Sequence, residues 1–178
     1  MALDKKMAHA LNEQINAEMF SAYLYLSMGS WFEEKGLLGI AHWFRCQYLE
    51  ENMHGMKMYN FVFERGARVT LKAIEAPKTE WTSYLDVFQE VAEHEAHVTS
   101  LINNLVRVAR ELNDYASESF LMWFVDEQVE EEATAGELVS RLKLIGDNPN
   151  ALLMLDNELK SRGVSPNVLP IHLGEPVA

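Results

Sequence analysis

Four glutamates occupy apolar stripes where hydrophobic residues are expected. In four long segments of the chain, apolar residues recur at steps of three and four, which places them on one face of a helix. Each stripe carries one glutamate near its middle: Glu18, Glu51, Glu95 and Glu131. His54 follows Glu51 by three residues and therefore shares its face. Carboxylates and imidazoles bind transition-metal ions, so the pattern indicates metal chemistry.

The cost of burying these side chains favours a metal site over a structural interpretation. One glutamate on an apolar stripe is most simply a boundary residue that reaches solvent. Four at matching depth are different, because a buried unpaired carboxylate is costly and neighbouring carboxylates repel. The stripes contain no Lys or Arg, whereas two divalent cations would balance four ionised carboxylates. Oxygen ligands with one imidazole suit iron, manganese or zinc, so the sequence predicts a dinuclear carboxylate site.

Glycines and prolines separate four long segments rich in Ala, Leu, Met, Glu and Gln, which are strong helix formers. Gly36, Gly66 and Gly146 are placed to end three of these helices. No segment shows the alternating pattern of a β-strand. The sequence therefore predicts an all-α fold with long helices over these approximate ranges: 4–35, 38–65, 84–112 and 115–145.

The connections between the segments predict the topology. Only a few residues join the first helix to the second and the third to the fourth, so each pair forms an antiparallel hairpin. The 67–82 connection reaches roughly 50 Å when extended, enough to cross the whole bundle. Asn148 and Pro149 open a short fifth helix with three leucines along one stripe. We expect a four-helix bundle with one long crossover and a short fifth helix.

Composition and charge exclude several classes of partner. The 178-residue chain has a formal net charge of -12, whereas nucleic acids and anionic membranes attract basic surfaces, so neither is expected. A single cysteine, Cys46, excludes an internal disulfide and suits a reducing compartment. No stretch approaches the roughly 20 apolar residues of a membrane span, and the N-terminus lacks a signal-peptide core. We therefore expect a cytoplasmic protein.

Four segments on different predicted helices together resemble the bacterial non-haem ferritins of the ferritin-like di-iron family. They are LNEQINAEMFSAYLY (11–25), YLEENMH (48–54), EHEAH (93–97) and DEQVEEE (126–132). The resemblance covers roughly residues 3–159 and implies a ferritin-like bundle. Gln128-x-x-Glu131 stands where the generic family pattern has a second Glu-x-x-His. This departure favours a non-haem ferritin over a bacterioferritin, and Asn52 occupies the position of the haem-ligating methionine, so no haem is expected.

The resemblance also implies individual roles. Glu18 and His54 correspond to terminal ligands of a first iron, and Glu51 to the bridge between two irons. Glu95 and Glu131 correspond to ligands of the second iron. The histidines on either side of Glu95, at positions 94 and 97, are expected to point off its face toward a surface or interface.

Five further residues have weaker assignments. Gln128 would be a hydrogen-bonding or weak ligand beside the second iron. Tyr25 matches a tyrosine that donates an electron or a hydrogen bond, although an ordinary core tyrosine would look the same. Glu50, Glu127 and Glu130 match a third, weaker iron site. Taken alone, the run at 130–132 is more simply a solvated acidic face.

The function implied by the resemblance is iron storage. Such a protein oxidises Fe(II) to Fe(III) with O2 or peroxide and deposits ferric oxyhydroxide inside a homo-oligomeric shell of 24 subunits. A non-storage di-iron or dimanganese oxidase or peroxidase would use the same ligands, and the fifth helix favours storage over it. A helical interaction module would bind no metal. A DNA-protecting mini-ferritin fits poorly, because its site is shared between subunits.

The expected domain organisation is simple. We expect one ferritin-like di-iron domain over residues 1–162. Residues 163–178 contain three prolines and no helical pattern, which predicts an extended C-terminal tail.

Overall fold

A computed structural model of the chain describes residues 2–163, which form five helices. These are α1 (Lys5–Glu34), α2 (Leu38–Glu64), α3 (Tyr84–Glu111), α4 (Tyr115–Ile145) and α5 (Pro149–Leu159). No strand occurs between residues 2 and 163, so the all-α prediction is confirmed. Each long helix begins and ends within one residue of its predicted position. Apart from Gly163, the predicted tail lies outside the described residues.

Local sequence explains most of the helix ends. A polar side chain accepts a hydrogen bond from the first turn of four helices: Asp4, Ser83, Asp114 and Asn148. Gly36 and Gly66 follow α1 and α2 with φ angles of 76° and 71°, a conformation that glycine adopts without strain. None of the helices in the described range is long and apolar enough to cross a membrane.

The start of α2 is capped by a residue from α5. Leu37 provides no side-chain cap, but Asp156 Oδ1 accepts hydrogen bonds from the backbone amides of Gly39 and Ile40, each at 2.8 Å. A Cβ at Gly39 would lie 1.7 Å from the carbonyl oxygen of Asp156, so only glycine allows this approach. The contact binds α5 to the end of the α1–α2 hairpin.

The connection between α2 and α3 runs along α1. Near the start of α1, Asn12 Oδ1 accepts a hydrogen bond of 2.6 Å from the backbone amide of Thr70. Near its end, Ser27 Oγ donates to the carbonyl oxygen of Lys78 at 2.7 Å. The connection therefore passes from one end of the bundle toward the other, as the predicted crossover requires.

Two apolar clusters fill the ends of the bundle and leave a polar layer between them. One cluster is centred on Phe32, Phe44 and Phe88, and the other contains Leu11 and Ile102. In all four long helices the residues between these clusters include buried glutamate or glutamine side chains. The four glutamates predicted from the stripes lie in this layer and are all buried.

Candidate metal centre

The structure brings Glu18, Glu51 and His54 together in the polar layer. One potential ligand atom from each residue lies within 4.8 Å of the others, and all three side chains are buried. Glu51 and His54 are one turn apart on α2, with Oε2 and Nδ1 separated by 3.7 Å, and Glu18 faces them from α1. Gly55, which follows His54, leaves room for the end of the Met19 side chain from α1, whose Cε would lie 2.7 Å from a Cβ there.

Two atoms of this group are buried and have no hydrogen-bond partner among residues 2–163. They are Oε2 of Glu18 and Nε2 of His54. The latter lies 3.8 Å from Oε1 of Glu127, which exceeds hydrogen-bond distance. Folded proteins rarely leave buried polar atoms unsatisfied, and a bound cation would satisfy them. The oxygen-rich donor set with one imidazole therefore fits a divalent transition-metal ion.

Glu95 on α3 and Glu131 on α4 complete the acidic layer. Both are buried, and both raise the pKa of Glu51 through their negative charge, which shows that the carboxylates share one electrostatic environment. They fall outside the group of three whose ligand atoms all lie within 4.8 Å. The structure thus gathers the predicted ligands of the first iron more tightly than those of the second.

Two glutamine side chains hold the carboxylates in place. The amide of Gln14 donates to Oε1 of Glu18 at 3.0 Å, and the amide of Gln47 donates to Oε2 of Glu131 at 3.0 Å. Both glutamines are buried. Sequence reasoning gave neither a role in the site. The sequence feature that could have indicated Gln14 is its position four residues, about one helical turn, before Glu18.

Glu95 receives hydrogen bonds from the two other residues assigned to the site. The hydroxyl of Tyr25 donates to its Oε1, and the amide of Gln128 donates to its Oε2 at 3.2 Å. Both side chains are buried. Both hydrogen bonds to Glu95 are present, while the roles of Tyr25 and Gln128 beside an iron stay predictions.

His94 contacts α1 within the chain. Its ring packs edge-on against Tyr25, with centroids 5.9 Å apart, and its Nε2 lies 2.8 Å from Oγ of Ser21. Burial lowers the pKa of His94 to about 4, so the imidazole is neutral at neutral pH. His94 is half-buried and His97 is exposed, so the surface or interface role expected of both stays a prediction. The α1–α3 approach turns the His94 ring toward α1.

The three residues assigned to a third iron have different surroundings. Glu50 is buried and pairs with Arg162. Glu127 is partly exposed and lies near His54, while Glu130 is exposed. Within the described part of the chain, these glutamates do not form a group as tight as that of the first site.

Arg162 is a neighbour of the site that the helical pattern did not indicate. Its guanidinium donates to Oε2 of Glu50 at 2.6 Å and to Oε1 of Gln47. The four stripes lack Lys and Arg, as the sequence shows, but this cation comes from the segment after α5. No periodic signal could have placed it, because position 162 lies beyond the last helix.

Burial and mutual repulsion raise the pKa values of the glutamates. Burial and the neighbouring Glu51 raise the pKa of Glu18 to about 8. Burial, with further contributions from other carboxylates, raises the pKa of Glu51 to about 7 and that of Glu95 to about 7. Burial also raises the pKa of Glu131. The metal-free site therefore holds protons near neutral pH, and a cation that binds there must displace them.

His54 is held in its charged form by its acidic neighbours. Burial lowers the pKa of His54, but the carboxylates of Glu127 and Glu51 outweigh burial and raise it well above its ordinary value. Tyr25 is affected in the opposite sense: burial and the charge of Glu95 raise the pKa of its hydroxyl, so the phenol stays protonated. It remains a hydrogen-bond donor to Glu95.

A small cavity lies between α3 and α4 beside Gln128. It has a volume of about 300 Å³ and is lined in part by Gln128, Thr99 and Glu132. The amide of Gln128 also donates to Thr99 Oγ1 at 3.2 Å, and that hydroxyl donates to Glu132. A polar path therefore extends from Glu95 through Gln128 to an exposed carboxylate. A larger cavity of about 830 Å³, lined by Trp31 and Trp81, lies in the aromatic end of the bundle.

Comparison with known proteins identifies a family. The family model described as a ferritin-like domain matches residues 8–145. The bacterial non-heme ferritin of Staphylococcus aureus is 41% identical over 160 residues, which cover 90% of this chain and 96% of that protein. The bacterial non-heme ferritin of Bacteroides fragilis is 42% identical over 160 residues, covering 90% and 99%.

A solved structure shows the same fold. The open pore ferritin from the hyperthermophilic archaeon Archaeoglobus fulgidus is 53% identical to this chain. The two superpose with a TM-score of 0.90, and the match covers 92% of this chain and 100% of the archaeal one.

Proposed function

Because the chain belongs to the ferritin family, we propose that it oxidises Fe(II) to Fe(III) at a dinuclear site inside the bundle and stores the product. The observation that carries this proposal is the buried group of Glu18, Glu51 and His54. Two of its atoms have no hydrogen-bond partner among the described residues, which supports cation binding. Iron is here the substrate of the protein.

The proposed ligand roles are those that the resemblance to the bacterial non-haem ferritins implies. Glu18 and His54 bind the first iron, Glu51 bridges, and Glu95 and Glu131 bind the second iron. Support comes from their common burial in one layer and from their mutual effect on pKa values. One chain supplies all five side chains, which disfavours a site shared between subunits. We assign this site to a di-iron domain comprising residues 1–162.

The chemistry follows from the charge and hardness of the ligands. Carboxylate oxygens stabilise Fe(III) more than Fe(II), which makes the bound ferrous ions easier to oxidise. Two Fe(II) ions, one electron from each, reduce one O2 with two protons to hydrogen peroxide. The protonated carboxyls of the metal-free site release protons as iron binds. Gln14, Gln47 and Gln128 keep three of the carboxylates oriented throughout.

Storage requires an enclosed space, and we propose a shell of 24 copies in the cytoplasm. Family membership supports this assembly, and the net charge of -12 is suited to attracting cations. The third iron site at Glu50, Glu127 and Glu130 is part of the same proposal. Glu50 lies close enough to Glu131 to raise its pKa, which supports a cation position adjoining the second iron.

An anaerobic Fe(II) titration of the purified protein, followed by admission of air, tests the function. We expect saturation at about two to three irons per chain and fast oxidation. The particle should have a mass of about half a megadalton, as 24 copies of a 20.4 kDa chain require. The same stoichiometry on a monomer or dimer would indicate a non-storage oxidase instead. Absence of binding would leave a helical interaction module.

Ligand variants make the test specific to the site. Glu51→Ala and His54→Ala should abolish rapid oxidation but leave the bundle folded, because the buried carboxyls that remain can take up protons and avoid an uncompensated charge. Glu93→Ala, at an exposed position on the face of α3 away from the site, is the matched control. Oxidation at the wild-type rate by either ligand variant would overturn the assignment.

A further inference from the structure

Arg162 places a permanent positive charge where a third cation would bind. It follows α5, and its guanidinium contacts Oε2 of Glu50 at 2.6 Å. We propose that Arg162 is a tethered cation that competes with a third metal ion for Glu50 and positions the second-iron ligand Glu131. This inference rests on the proposed function, since it concerns how the same site regulates its occupancy.

The competition follows from the chemistry of the pair. A guanidinium stays charged at all physiological pH values, and the Glu50 side chain that it contacts is only 7% exposed. A metal ion that binds the Glu50 carboxylate must therefore replace this ion pair or share the carboxylate with a nearby like charge, which is costly in a buried site. The Arg162 side chain is 25% exposed, so it has a route to solvent when displaced.

Arg162 also acts on Glu131 through Gln47. The guanidinium donates to the amide oxygen of Gln47, and the amide nitrogen of Gln47 donates to Oε2 of Glu131 at 3.0 Å. The amide oxygen of Gln47 can only accept a hydrogen bond and the amide nitrogen can only donate. Because Arg162 holds the oxygen, the nitrogen is the end that faces Glu131. When Arg162 leaves, this constraint on Gln47 is lost. Binding of a third metal ion at Glu50 is thereby coupled to the orientation of Glu131, the proposed ligand of the second iron.

Several contacts hold Arg162 in position. Its carbonyl oxygen accepts a hydrogen bond from His42 Nε2 at 2.9 Å, and its guanidinium lies over the ring of Trp43 at 5.0 Å. The preceding helix is bound to α2 through the hydrogen bonds from Gly39 and Ile40 to Asp156. The segment is therefore anchored on α2 on the side of Glu50, and only the guanidinium need move to free the carboxylate.

Zn(II) titration calorimetry on the assembled, metal-free protein without oxidant measures the competition. Arg162→Gln should bind the third Zn(II) about tenfold or more tightly than wild type, because the competing charge is gone. Arg162→Lys, which keeps the charge, should stay closer to wild type. Arg141→Gln is the control, since it removes a two-bond ion pair between Arg141 on α4 and Glu158 on α5. Arg141 lies ten residues, or about 15 Å, beyond Glu131 along α4.

The outcomes separate the inference from the proposed function. Equal third-ion affinity in Arg162→Gln and Arg141→Gln would overturn the role of Arg162 while leaving the two tight sites intact. No Zn(II) or Fe(II) binding by wild type would overturn the proposed function itself.

A measurement on the wild-type protein keeps the proposal testable if Arg162→Gln does not fold. Phenylglyoxal modifies accessible arginines, and peptide mass spectrometry reports each position. Arg162 should be protected in the metal-free protein and with two equivalents of Zn(II), then become reactive as a third equivalent binds. Arg107, whose side chain is 62% exposed, should react throughout. Protection of Arg162 that persists at saturation would contradict displacement.

Discussion

The side-chain amide of Gln14 donates to Oε1 of Glu18 at 3.0 Å, while Oε2 of Glu18 is buried without a partner among the described residues. The two oxygens of one carboxylate thus have different environments. Gln14 fixes the orientation of the group, and the other oxygen is available to a cation. This division lets a buried carboxylate be held in position before iron arrives.

Replacing Gln14 by Leu should weaken binding of the first cation. The variant removes a donor that stabilises the charged form of Glu18, so the pKa of that carboxyl should rise further and protons should compete better with metal. We expect a loss of about threefold to tenfold in Zn(II) affinity at pH 7, measured by calorimetry. Gln89→Leu changes an exposed glutamine on α3 and is the control. Equal affinities in the two variants would show that the donor has no influence on the site.

The metal-free protein should lose stability between pH 6.5 and about 8. Ordinary glutamates have a pKa of 4.5, whereas burial raises the pKa of Glu51 to about 7 and that of Glu18 to about 8. The folded state therefore binds more protons than the unfolded state, and the free energy of unfolding falls as pH rises through these values. His54, whose pKa is also raised, contributes with the same sign.

The lower limit of this window comes from His94. Its pKa is about 4 in the folded protein, whereas an ordinary histidine has a pKa of 6.5. His94 therefore makes the free energy of unfolding rise with pH between these two values, and above pH 6.5 it causes no further change. Denaturant unfolding with a chelator present measures how steeply the free energy of unfolding falls with pH. This fall should be shallower in Glu51→Gln. Stability that increases from pH 6.5 to 8 would contradict the raised carboxyl pKa values.

Replacing Tyr25 by Phe should destabilise the metal-free protein more at pH 8 than at pH 5. The Tyr25 hydroxyl donates to Glu95, whose pKa is raised to about 7 by burial and by Glu131, so the carboxylate needs the donor most when ionised. Loss of the donor should cost about 1–3 kcal/mol at pH 8. Thermal unfolding at the two pH values checks this, with exposed Tyr23→Phe as control.

The same variant addresses the redox role of Tyr25. An electron donor would be required in the first turnover, so rapid-mixing kinetics of Tyr25→Phe should show slower Fe(II) oxidation. An unchanged rate together with the pH-dependent loss of stability would identify Tyr25 as a hydrogen-bonding core residue.

Replacing Asp156 by Ala should loosen α5 from α2. The carboxylate caps the backbone amides of Gly39 and Ile40, and loss of a helix cap typically costs about 0.5–2 kcal/mol. Hydrogen exchange should increase at both amides and in α5. Asn157→Ala, at the next and exposed position, should leave exchange unchanged. If Asp156→Ala leaves the Gly39 and Ile40 amides as protected as in wild type, the cap is not what holds this helix end.

Local sequence was sufficient to predict the helices and the acidic layer. Apolar spacing places a residue on a helix face, and it therefore identified Glu18, Glu51, Glu95 and Glu131 as interior positions, all of which are buried. Capping residues and glycines located the helix ends because their effects are confined to one turn. The resemblance to known ferritins added roles to these positions that spacing alone does not contain.

Only the tertiary structure decided which atoms meet across helices. Gln47 and Glu131 are 84 residues apart, and Arg162 and Glu50 are 112 residues apart. Periodicity defines the face on which each residue lies, but the hydrogen bonds between faces depend on how the helices approach and on where α5 docks. The charge beside the acidic layer comes from a segment without helical pattern, so it became visible only when the chain had folded back along α2.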